Sequence, residues 1–242
     1  MSIAQDETCR FLVTCEHGGN RIPAQYRDLF AGQSSLLRSH RGYDPGALAM
    51  ARELAKKLGA PLICSTTSRL LVDLNRSPNN PQLLSEFSRN LPNAARREII
   101  EHYYQPFRTR VEQAVASTIG TGHRVIHLSS HSFTPGLNGI ERQADIGLLY
   151  DPARPGEVAL CREWLAILKT CAPDLRIRRN YPYTGKSDGL TAYLRKRHAA
   201  DCYIGIELEI NQRIVRGGGL AWSNLRTCLA ETLVMTLDRI AL

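Results

Sequence analysis

Short apolar runs alternate with stretches of helical spacing along almost the whole chain. The short runs predict strands at 11–14, 61–64, 124–130, 145–150, 175–179 and 203–210, and a further strand or extended segment at 69–77. Apolar residues three and four positions apart predict helices from 48 to 58, 93–119, 158–171, 190–197 and 222–242. Strands that alternate with helices predict a three-layer α/β/α domain with a central mixed, mostly parallel sheet.

Turn residues set the expected boundaries of several elements. Asp44-Pro45 is a helix-start signature, which places Asp44 at the N-cap of the first helix, and Gly59 should end that helix. Pro106 should kink or divide the 93–119 helix. Residues 21–31 form a loop or short helix, and the Ser-, Asn- and Pro-rich stretch 77–92 is expected to be a loop over the site.

Polar residues follow several of the predicted strands. His17, Asn75, Arg76, His131 and Glu209 each lie at or near the C-terminal end of a strand-like run. Since ligands and catalytic groups collect at the carboxyl ends of strands in an open α/β sheet, we expect these side chains to meet. A hydrolytic zinc centre needs three N/O ligands, an open position for water, a carboxylate base and a cation for an acidic substrate group. The residue types fit that requirement.

Two carboxylates on the last predicted strand compete for the catalytic position. Glu207 and Glu209 lie two residues apart and share a face, while Ile206, Leu208 and Ile210 should pack on the other face. Buried carboxylates are costly unless a charged group meets them. Glu209 lies nearer the carboxyl end of the strand, so it is the predicted catalytic residue.

Composition narrows the classes of function. The chain has 242 residues, 43% of them hydrophobic, and predicts one domain over 1–242 with no membrane span. The polar N-terminus lacks the layout of a secretory signal, so a cytoplasmic location is expected. The net charge of +8 is spread along the chain, which favours a solvated surface or a cleft that attracts small anions over nucleic-acid binding. The seven cysteines show no paired spacing, and the sequence leaves the oligomeric state open.

Seven segments of the chain resemble the N-formylglutamate amidohydrolase family, whose fold and site are similar to those of zinc carboxypeptidases and aspartoacylase-like deacylases. The matching segments lie at 16–23 (EHGGNRIP), 42–47 (GYDPGA), 72–76 (VDLNR), 130–132 (SHS), 144–147 (ADIG), 180–185 (NYPYTG) and 209–212 (EINQ). They extend from about residue 11 to residue 215, and their order makes the resemblance specific.

The resemblance implies a role for each member of the strand-end set. It makes His17 and His131 ligands of one zinc ion, places Asn75 and Arg76 at the substrate carboxylate, and makes Glu209 the general base and acid. One position departs from the pattern, because Asn20 stands where the carboxypeptidases have a ligand glutamate. We expect Asp44 to supply the missing carboxylate, with Glu16 as the alternative third ligand. His40 shares the loop of Asp44 and is a reserve without an assigned role.

The same resemblance implies a zinc-dependent hydrolase of a small acidic N-acyl amino acid, with N-formyl-L-glutamate as the leading substrate. Arg142 and Tyr183 are candidates for substrate contacts, although Arg142 could instead pair near Asp145 and Tyr183 could simply pack. Two alternatives remain open at this point. One is a zinc amidase or peptidase that acts on peptidoglycan-like or other N-acyl peptides, and the other is a non-catalytic binding protein.

Overall fold

Six strands form one mixed sheet in the structure, a computed structural model that describes residues 8–240. The strands are β1 (Cys9–Cys15), β2 (Leu62–Cys64), β3 (Arg124–Phe133), β6 (Ile146–Leu149), β7 (Ile177–Arg179) and β8 (Tyr203–Asn211), and β4 (Gly136–Leu137) pairs with β5 (Ile140–Glu141) in a separate hairpin. The sheet order is β2-β1-β3-β8-β6-β7. β8 and β6 are antiparallel and the other neighbours are parallel, which confirms the mixed, mostly parallel sheet.

Helices cover both faces of this sheet. They are α1 (Ser34–Leu37), α2 (Ala47–Leu58), α3 (Asn93–Ile99), α4 (Gln105–Gly120), α5 (Pro155–Cys171), α6 (Leu190–Arg195), α7 (Gln212–Gly217) and α8 (Gly219–Leu237), and a 3₁₀ turn spans Ala24–Phe30. Apolar residues of α2, α5 and α8 pack in one core, and those of α3, α4 and α6 pack in another. The predicted three-layer α/β/α architecture is therefore confirmed.

Strand β8 shows how the two faces divide. Ile206, Leu208 and Ile210 are fully buried in the core beneath α2, α5 and α8, as the alternation predicts. Tyr203 belongs to the core on the opposite face. Since side chains alternate along a strand, Glu207 and Glu209 lie on the face of Tyr203.

The prediction of a strand or extended segment at 69–77 is wrong. The backbone there turns, with bonds from Leu71 N to Ser68 O and from Arg76 N to Asp73 O. Its apolar residues are nevertheless buried in the core on the α4 side. The segment contributes a continuous apolar run without strand pairing, and such a run cannot be told from a buried strand by periodicity alone.

The helix starting near Asp44 also differs from the prediction at its first turn. Gly46, not Asp44, occupies the N-cap, with a φ of 84°, and no side chain caps the helix. Asp44 O accepts a bond from Ala47 N, whereas the carboxylate points away from the helix. Gly59 ends the helix in the left-handed conformation, with a φ of 60°, as predicted.

The predicted 93–119 helix is divided ahead of its proline. A π-helical segment at Ile100–Tyr104 separates α3 from α4, and Pro106 lies in the first turn of α4. Proline has no N–H to donate to the carbonyl four residues earlier, so regular α-helical bonding cannot continue through this position.

Two of the expectations concern the chain ends, parts of which lie outside the described residues. The polar stretch 1–7, which carries part of the argument against a secretory leader, and the end of the predicted closing helix at 241–242 lie outside the described residues. The closing helix starts at Gly219 rather than at Trp222 and ends at Leu237. Among residues 8–240, no helix combines the length and the apolar character needed to cross a membrane.

Candidate active site

Two histidines and an aspartate from distant parts of the chain converge at one edge of the sheet. His17 follows the end of β1, His131 lies within β3, and Asp44 lies in the loop before α2. His131 Nδ1 is 2.8 Å and His17 Nδ1 is 3.4 Å from Asp44 Oδ2, and these ligand atoms all lie within 4.8 Å of one another. All three residues are buried. The sequence placed His131 just beyond its strand, but β3 continues to Phe133.

The loop that carries Asp44 is held to the end of β1 by its backbone. Asp44 N donates to His17 O at 2.9 Å, which places the carboxylate beside the imidazole. Ser132 Oγ, on β3, donates to Pro45 O at 2.7 Å and holds the same loop from the other side. These two long-range bonds therefore fix the carboxylate between the two rings.

The Nε2 nitrogen of each histidine faces a carboxylate outside the cluster. His17 Nε2 lies 2.7 Å from Asp73 Oδ1, and His131 Nε2 lies 3.1 Å from Glu16 Oε2. With hydrogens on both Nε2 atoms, each Nδ1 atom could offer its lone pair to a metal ion held beside Asp44. This is the arrangement in which metal-binding histidines are usually held, because the outer carboxylate fixes the tautomer and the ring orientation.

Arg69 and Asp73 complete the surroundings of His17, and the sequence analysis assigns no role to either residue. Arg69 Nη1 is 3.2 Å from Asp44 Oδ1 and Arg69 Nη2 is 2.7 Å from Asp73 Oδ2. The only available signals were the i, i+4 spacing of the pair and the position of Asp73 inside the VDLNR segment. A strand at 69–77 would hold Arg69 and Asp73 apart, whereas the turns of the observed backbone bring them together. The incorrect strand prediction therefore concealed this pair.

The charges of the cluster depend strongly on one another. Burial favours the neutral form of Asp44, but the electrostatic effect of the adjacent His17 imidazole, a hydrogen bond from His131 and the guanidinium of Arg69 hold its pKa well below the usual range. Burial opposes the charged form of His131, yet bonds to Asp44 and Glu16 raise its pKa well above the usual value. The cluster of His17, Asp44 and His131 therefore requires positive charge beside the Asp44 carboxylate.

A divalent metal ion matches this requirement. Two imidazole nitrogens and one carboxylate oxygen form a three-ligand set of the kind found in catalytic zinc sites, which keep a further position for water or substrate. Within residues 8–240, His17, Asp44 and His131 form the group whose atoms could bind a metal. The residues present thus fit the predicted ion, and the expected third ligand, Asp44, lies with the two histidines.

Glu16, the alternative third ligand, lies behind His131 instead. Its Oε1 accepts from Thr14 Oγ1 at 2.6 Å, and its Oε2 accepts from Ser129 Oγ at 2.8 Å. Burial raises its pKa, but hydrogen bonding to His131 and Thr14 more than offsets that and lowers the pKa to about 2. Asn20 lies elsewhere, with Nδ2 donating to Leu37 O at 3.1 Å.

Glu209 lies beside the cluster with one oxygen unengaged. Its side chain is 5% exposed, and Oε2 has no hydrogen-bond partner in the described part of the chain. Burial, together with the negative charges of Asp44 and Glu207, raises the pKa of Glu209 to about 8. Glu207 instead accepts a hydrogen bond from Thr191 Oγ1. Of the two carboxylates that share this face, Glu209 is thus the one with an unpaired oxygen.

A cavity of about 210 Å³ is lined both by the His17, Asp44 and His131 cluster and by the two residues predicted to bind a substrate carboxylate, Asn75 and Arg76. Its walls include Asn75, Arg76 and residues of the 183–188 loop; the full set is His17, Asp44, Arg69, Asn75, Arg76, His131, Ser132, Tyr183, Thr184, Ser187, Asp188, Glu207 and Glu209. Asn75 Oδ1 accepts from Leu190 N at 2.6 Å, and Arg76 Nη1 donates to Asp188 O at 3.0 Å. These contacts hold the pair at the cavity wall.

Arg142 and Tyr183 contact each other, and Tyr183 lies at the cavity wall. Arg142 Nη1 donates to Tyr183 Oη at 3.1 Å, and the guanidinium carbon lies 5.0 Å from the centre of the Tyr183 ring. Arg142 is 8% exposed, whereas Tyr183 is 44% exposed. Tyr183 lines both the main cavity and an adjoining one of about 260 Å³ that extends to His40 and Leu137. Arg142 itself is not among the residues lining either cavity.

Fold and site together define a class: a three-layer α/β protein with a buried His-Asp-His cluster that could bind a metal ion at the edge of its sheet. The model of the N-formylglutamate amidohydrolase family matches residues 9–216. The chain belongs to this family, and it is an amide-cleaving hydrolase.

Solved structures agree with this assignment. Gene product Atu2144 from Agrobacterium tumefaciens is 30% identical, with a TM-score of 0.81 over 94% of this chain and 90% of that one. N-formylglutamate amidohydrolase from Ralstonia eutropha JMP134 is 18% identical, with a TM-score of 0.70 over 97% and 94% of the two chains, a likeness that bears on the fold. No curated protein sequence matches the chain significantly.

Proposed function

We propose that the chain is a zinc-dependent amidohydrolase that cleaves small acidic N-acyl amino acids, with N-formyl-L-glutamate as the first substrate to test. The observation that carries the proposal is the convergence of His17 Nδ1, His131 Nδ1 and Asp44 Oδ2 on one point, with the unpaired carboxylate oxygen of Glu209 beside it. Family membership supports the type of bond that is cleaved.

His17, Asp44 and His131 would hold the zinc ion. When bound, such an ion supplies Lewis acidity, which polarises an amide carbonyl and lowers the pKa of water. Asp73 and Glu16 contribute by keeping the two imidazoles in the ligating tautomer from behind. Arg69 binds Asp44 through its other oxygen, Oδ1, and so leaves Oδ2 directed between the rings.

Glu209 is the group that moves the proton. Its free oxygen would accept a proton from the attacking water and pass it to the amide nitrogen as the C–N bond breaks, which yields a carboxylic acid and a free amine. The raised pKa in the metal-free protein suits a group that has to hold the proton between these two steps. A cation in the neighbouring cluster would lower that pKa and favour the base form at the start.

Arg76 and Asn75 supply the recognition of an acidic substrate. Arg76 can form a charge-assisted pair with the substrate carboxylate, and Asn75 keeps its amide nitrogen available, since its oxygen is engaged by Leu190 N. Arg142, held against Tyr183, is the basic group that would steady the negative charge developing on the amide oxygen.

The size of the cavity favours a small substrate over a peptide. A volume of about 210 Å³ lies below the usual range for drug-sized ligands. Thr184, Ser187 and Asp188 close one side of it. An acylated single amino acid matches this space better than a peptidoglycan stem.

Formate release measures the proposal directly. Purified chain loaded with zinc is incubated with N-formyl-L-glutamate, N-formyl-L-leucine and N-acetyl-L-glutamate, and the formate, acetate and amino acids released are quantified. We expect turnover of the formylglutamate, loss of turnover after chelation, and recovery after zinc is returned. Turnover that does not change when the metal is removed contradicts the zinc-dependent mechanism.

A further inference from the structure

A line of buried polar side chains crosses the sheet behind His131. Tyr203 on β8 contacts His127 on β3, His127 contacts Thr14 on β1, and Thr14 contacts Glu16. The distances are 2.7 Å from Tyr203 Oη to His127 Nδ1, 2.8 Å from His127 Nε2 to Thr14 Oγ1, and 2.6 Å from Thr14 Oγ1 to Glu16 Oε1. All four side chains are completely buried.

The direction of every hydrogen bond in this line is determined by counting hydrogens. Thr14 has one hydroxyl hydrogen, which it donates to the Glu16 carboxylate, so toward His127 its oxygen has to accept. His127 therefore carries its hydrogen on Nε2. Its Nδ1 then accepts the hydrogen of Tyr203. Burial lowers the pKa of His127 to about 4 and raises that of Tyr203, which agrees with a neutral imidazole and an intact phenol.

The same count extends from Glu16 to His131. Ser129 donates its one hydrogen to Glu16 Oε2 at 2.8 Å. Its oxygen lies 2.9 Å from His131 Nε2, so it has to accept there. His131 Nε2 thus carries a hydrogen, which is shared between Ser129 Oγ and Glu16 Oε2. His131 Nδ1, which faces Asp44, is then the nitrogen that can bind a metal ion.

We propose that Tyr203, His127 and Thr14 are positioning residues that act through Glu16 to hold His131 as the Nε2–H tautomer, with Nδ1 directed at the metal position. The inference rests on the metal site proposed above. Buried polar groups are costly to the fold unless each is satisfied, and apolar residues could fill the same space at lower cost. The hydrogen-bonded side chains instead extend from β8 across β3 to β1, and Glu16 connects them to the predicted ligand His131.

Thr14→Val tests the line with the smallest change of shape. The variant keeps the side-chain volume but removes the acceptor for His127 Nε2 and one donor to Glu16. Loss of an outer partner of this kind typically weakens metal binding about 10–100-fold, and we expect an increase of that size in the zinc dissociation constant. Thr14→Ser, which restores the hydroxyl, should stay within about threefold of the parent, well inside that range.

A matched control separates this effect from simple damage to the core. Thr232 is also buried and accepts from Trp164 Nε1 at 3.1 Å, but it lies in α8, in the core on the opposite face of the sheet from Tyr203. Thr232→Val should destabilise the fold without changing the zinc dissociation constant. Equal zinc affinity in the parent, Thr14→Val and Thr232→Val would overturn the positioning role. A parent chain that binds no zinc would overturn the proposed function and this inference together.

Nitrogen-15 NMR of the zinc-loaded chain reads the tautomers without relying on activity. We expect His127 and His131 to carry their hydrogens on Nε2 in the parent. Thr14→Val removes the acceptor for His127 Nε2 and should release His127 from a single tautomer, whereas Tyr203→Phe should keep the Nε2–H form, because the Thr14 oxygen can still only accept there. An Nδ1–H tautomer for His127 in the parent contradicts the proposed directions, and so does an unchanged His127 in Thr14→Val.

Discussion

His131 and Glu209 lie directly opposite one another on β3 and β8, in register as neighbours across a parallel pair. Adjacent strands are about 4.8 Å apart, so the sheet itself fixes the distance between the backbones of His131 and Glu209. Both residues belong to rigid central strands rather than to loops. The proposed ligand and base therefore keep their spacing whatever the surrounding loops do.

Glu209→Gln should separate metal binding from catalysis. The amide keeps the size of the side chain but cannot accept a proton at neutral pH, and general acid–base groups contribute about 10²–10⁴-fold to rates. We expect turnover to fall by that factor while zinc content, measured by atomic spectroscopy, stays at the parental value. Glu207→Gln should cost far less, because Thr191 already engages that carboxylate. Near-parental turnover in Glu209→Gln would remove this residue from the mechanism.

His17→Ala and His131→Ala should each abolish stoichiometric zinc binding. Each substitution leaves two of the three ligand atoms, which is too few for a stable site with this geometry. Zinc per chain after dialysis provides the measurement. His102→Ala serves as the control, since His102 is exposed and lies away from the cluster. Parental zinc content in both ligand variants would contradict the site.

The choice between Asp44 and Glu16 as third ligand can be decided by a pair of neutral substitutions. Asp44→Asn should lose the metal, because the atom facing both Nδ1 nitrogens no longer bears charge. Glu16→Gln should retain it at about 10–100-fold lower affinity, the usual cost of altering an outer partner. Isothermal titration with zinc distinguishes the two. The reverse order of affinities would make Glu16 the ligand.

Arg76→Met should impair recognition of the substrate rather than the chemical step. The loss of a charge-assisted pair to a carboxylate costs about 1.5–3 kcal/mol, which corresponds to about a 10–100-fold increase in KM. For a substrate analogue in which that carboxylate is replaced by a carboxamide, KM should change little between the parent and Arg76→Met. Steady-state kinetics with both substrates test this, and an equal effect on both would show that Arg76 does not read the carboxylate.

Gly147→Ala should disturb the strand beside Glu209. A Cβ atom at Gly147 would overlap with Tyr181 O and lie 3.3 Å from Glu209 Cβ, so the backbone has to move. Overpacking of this kind costs about 1–3 kcal/mol, which should appear as a lower denaturation midpoint. Gly120→Ala, at the end of α4 with no atom within 4 Å of its Cβ, should leave stability equal or higher. Equal midpoints for the two variants would contradict the close approach.

Several features of the site could be predicted because they depend on local pattern. Glu209 belongs to a strand whose alternation of residues fixes both the strand and the face, and His17 directly follows the short apolar run that forms β1. The carboxyl ends of parallel strands share one edge, so strand-end residues far apart in sequence could be expected to meet. The structure brings the two histidines together, in agreement with that expectation.

Other features could not be predicted, since they depend on how loops return to the sheet. Asp44 carries the local signature of a helix cap, and only the contact of its loop with His17 turns its carboxylate toward the cluster. Asp73 and Arg69 lie in a segment whose apolar run resembles a strand, yet its turns direct their side chains to His17 and Asp44.

The α/β architecture, the strands that reach the site and the chemical types available there follow from the order of side chains along short stretches of the chain, so they can be predicted from it. The identity of the oxygen that faces each nitrogen depends instead on how distant segments pack together. Asp44 faces the histidine nitrogens directed into the cluster, whereas Glu16 supports His131 from behind. A shift of a few ångströms in a loop exchanges such roles, and no periodicity along the chain records it.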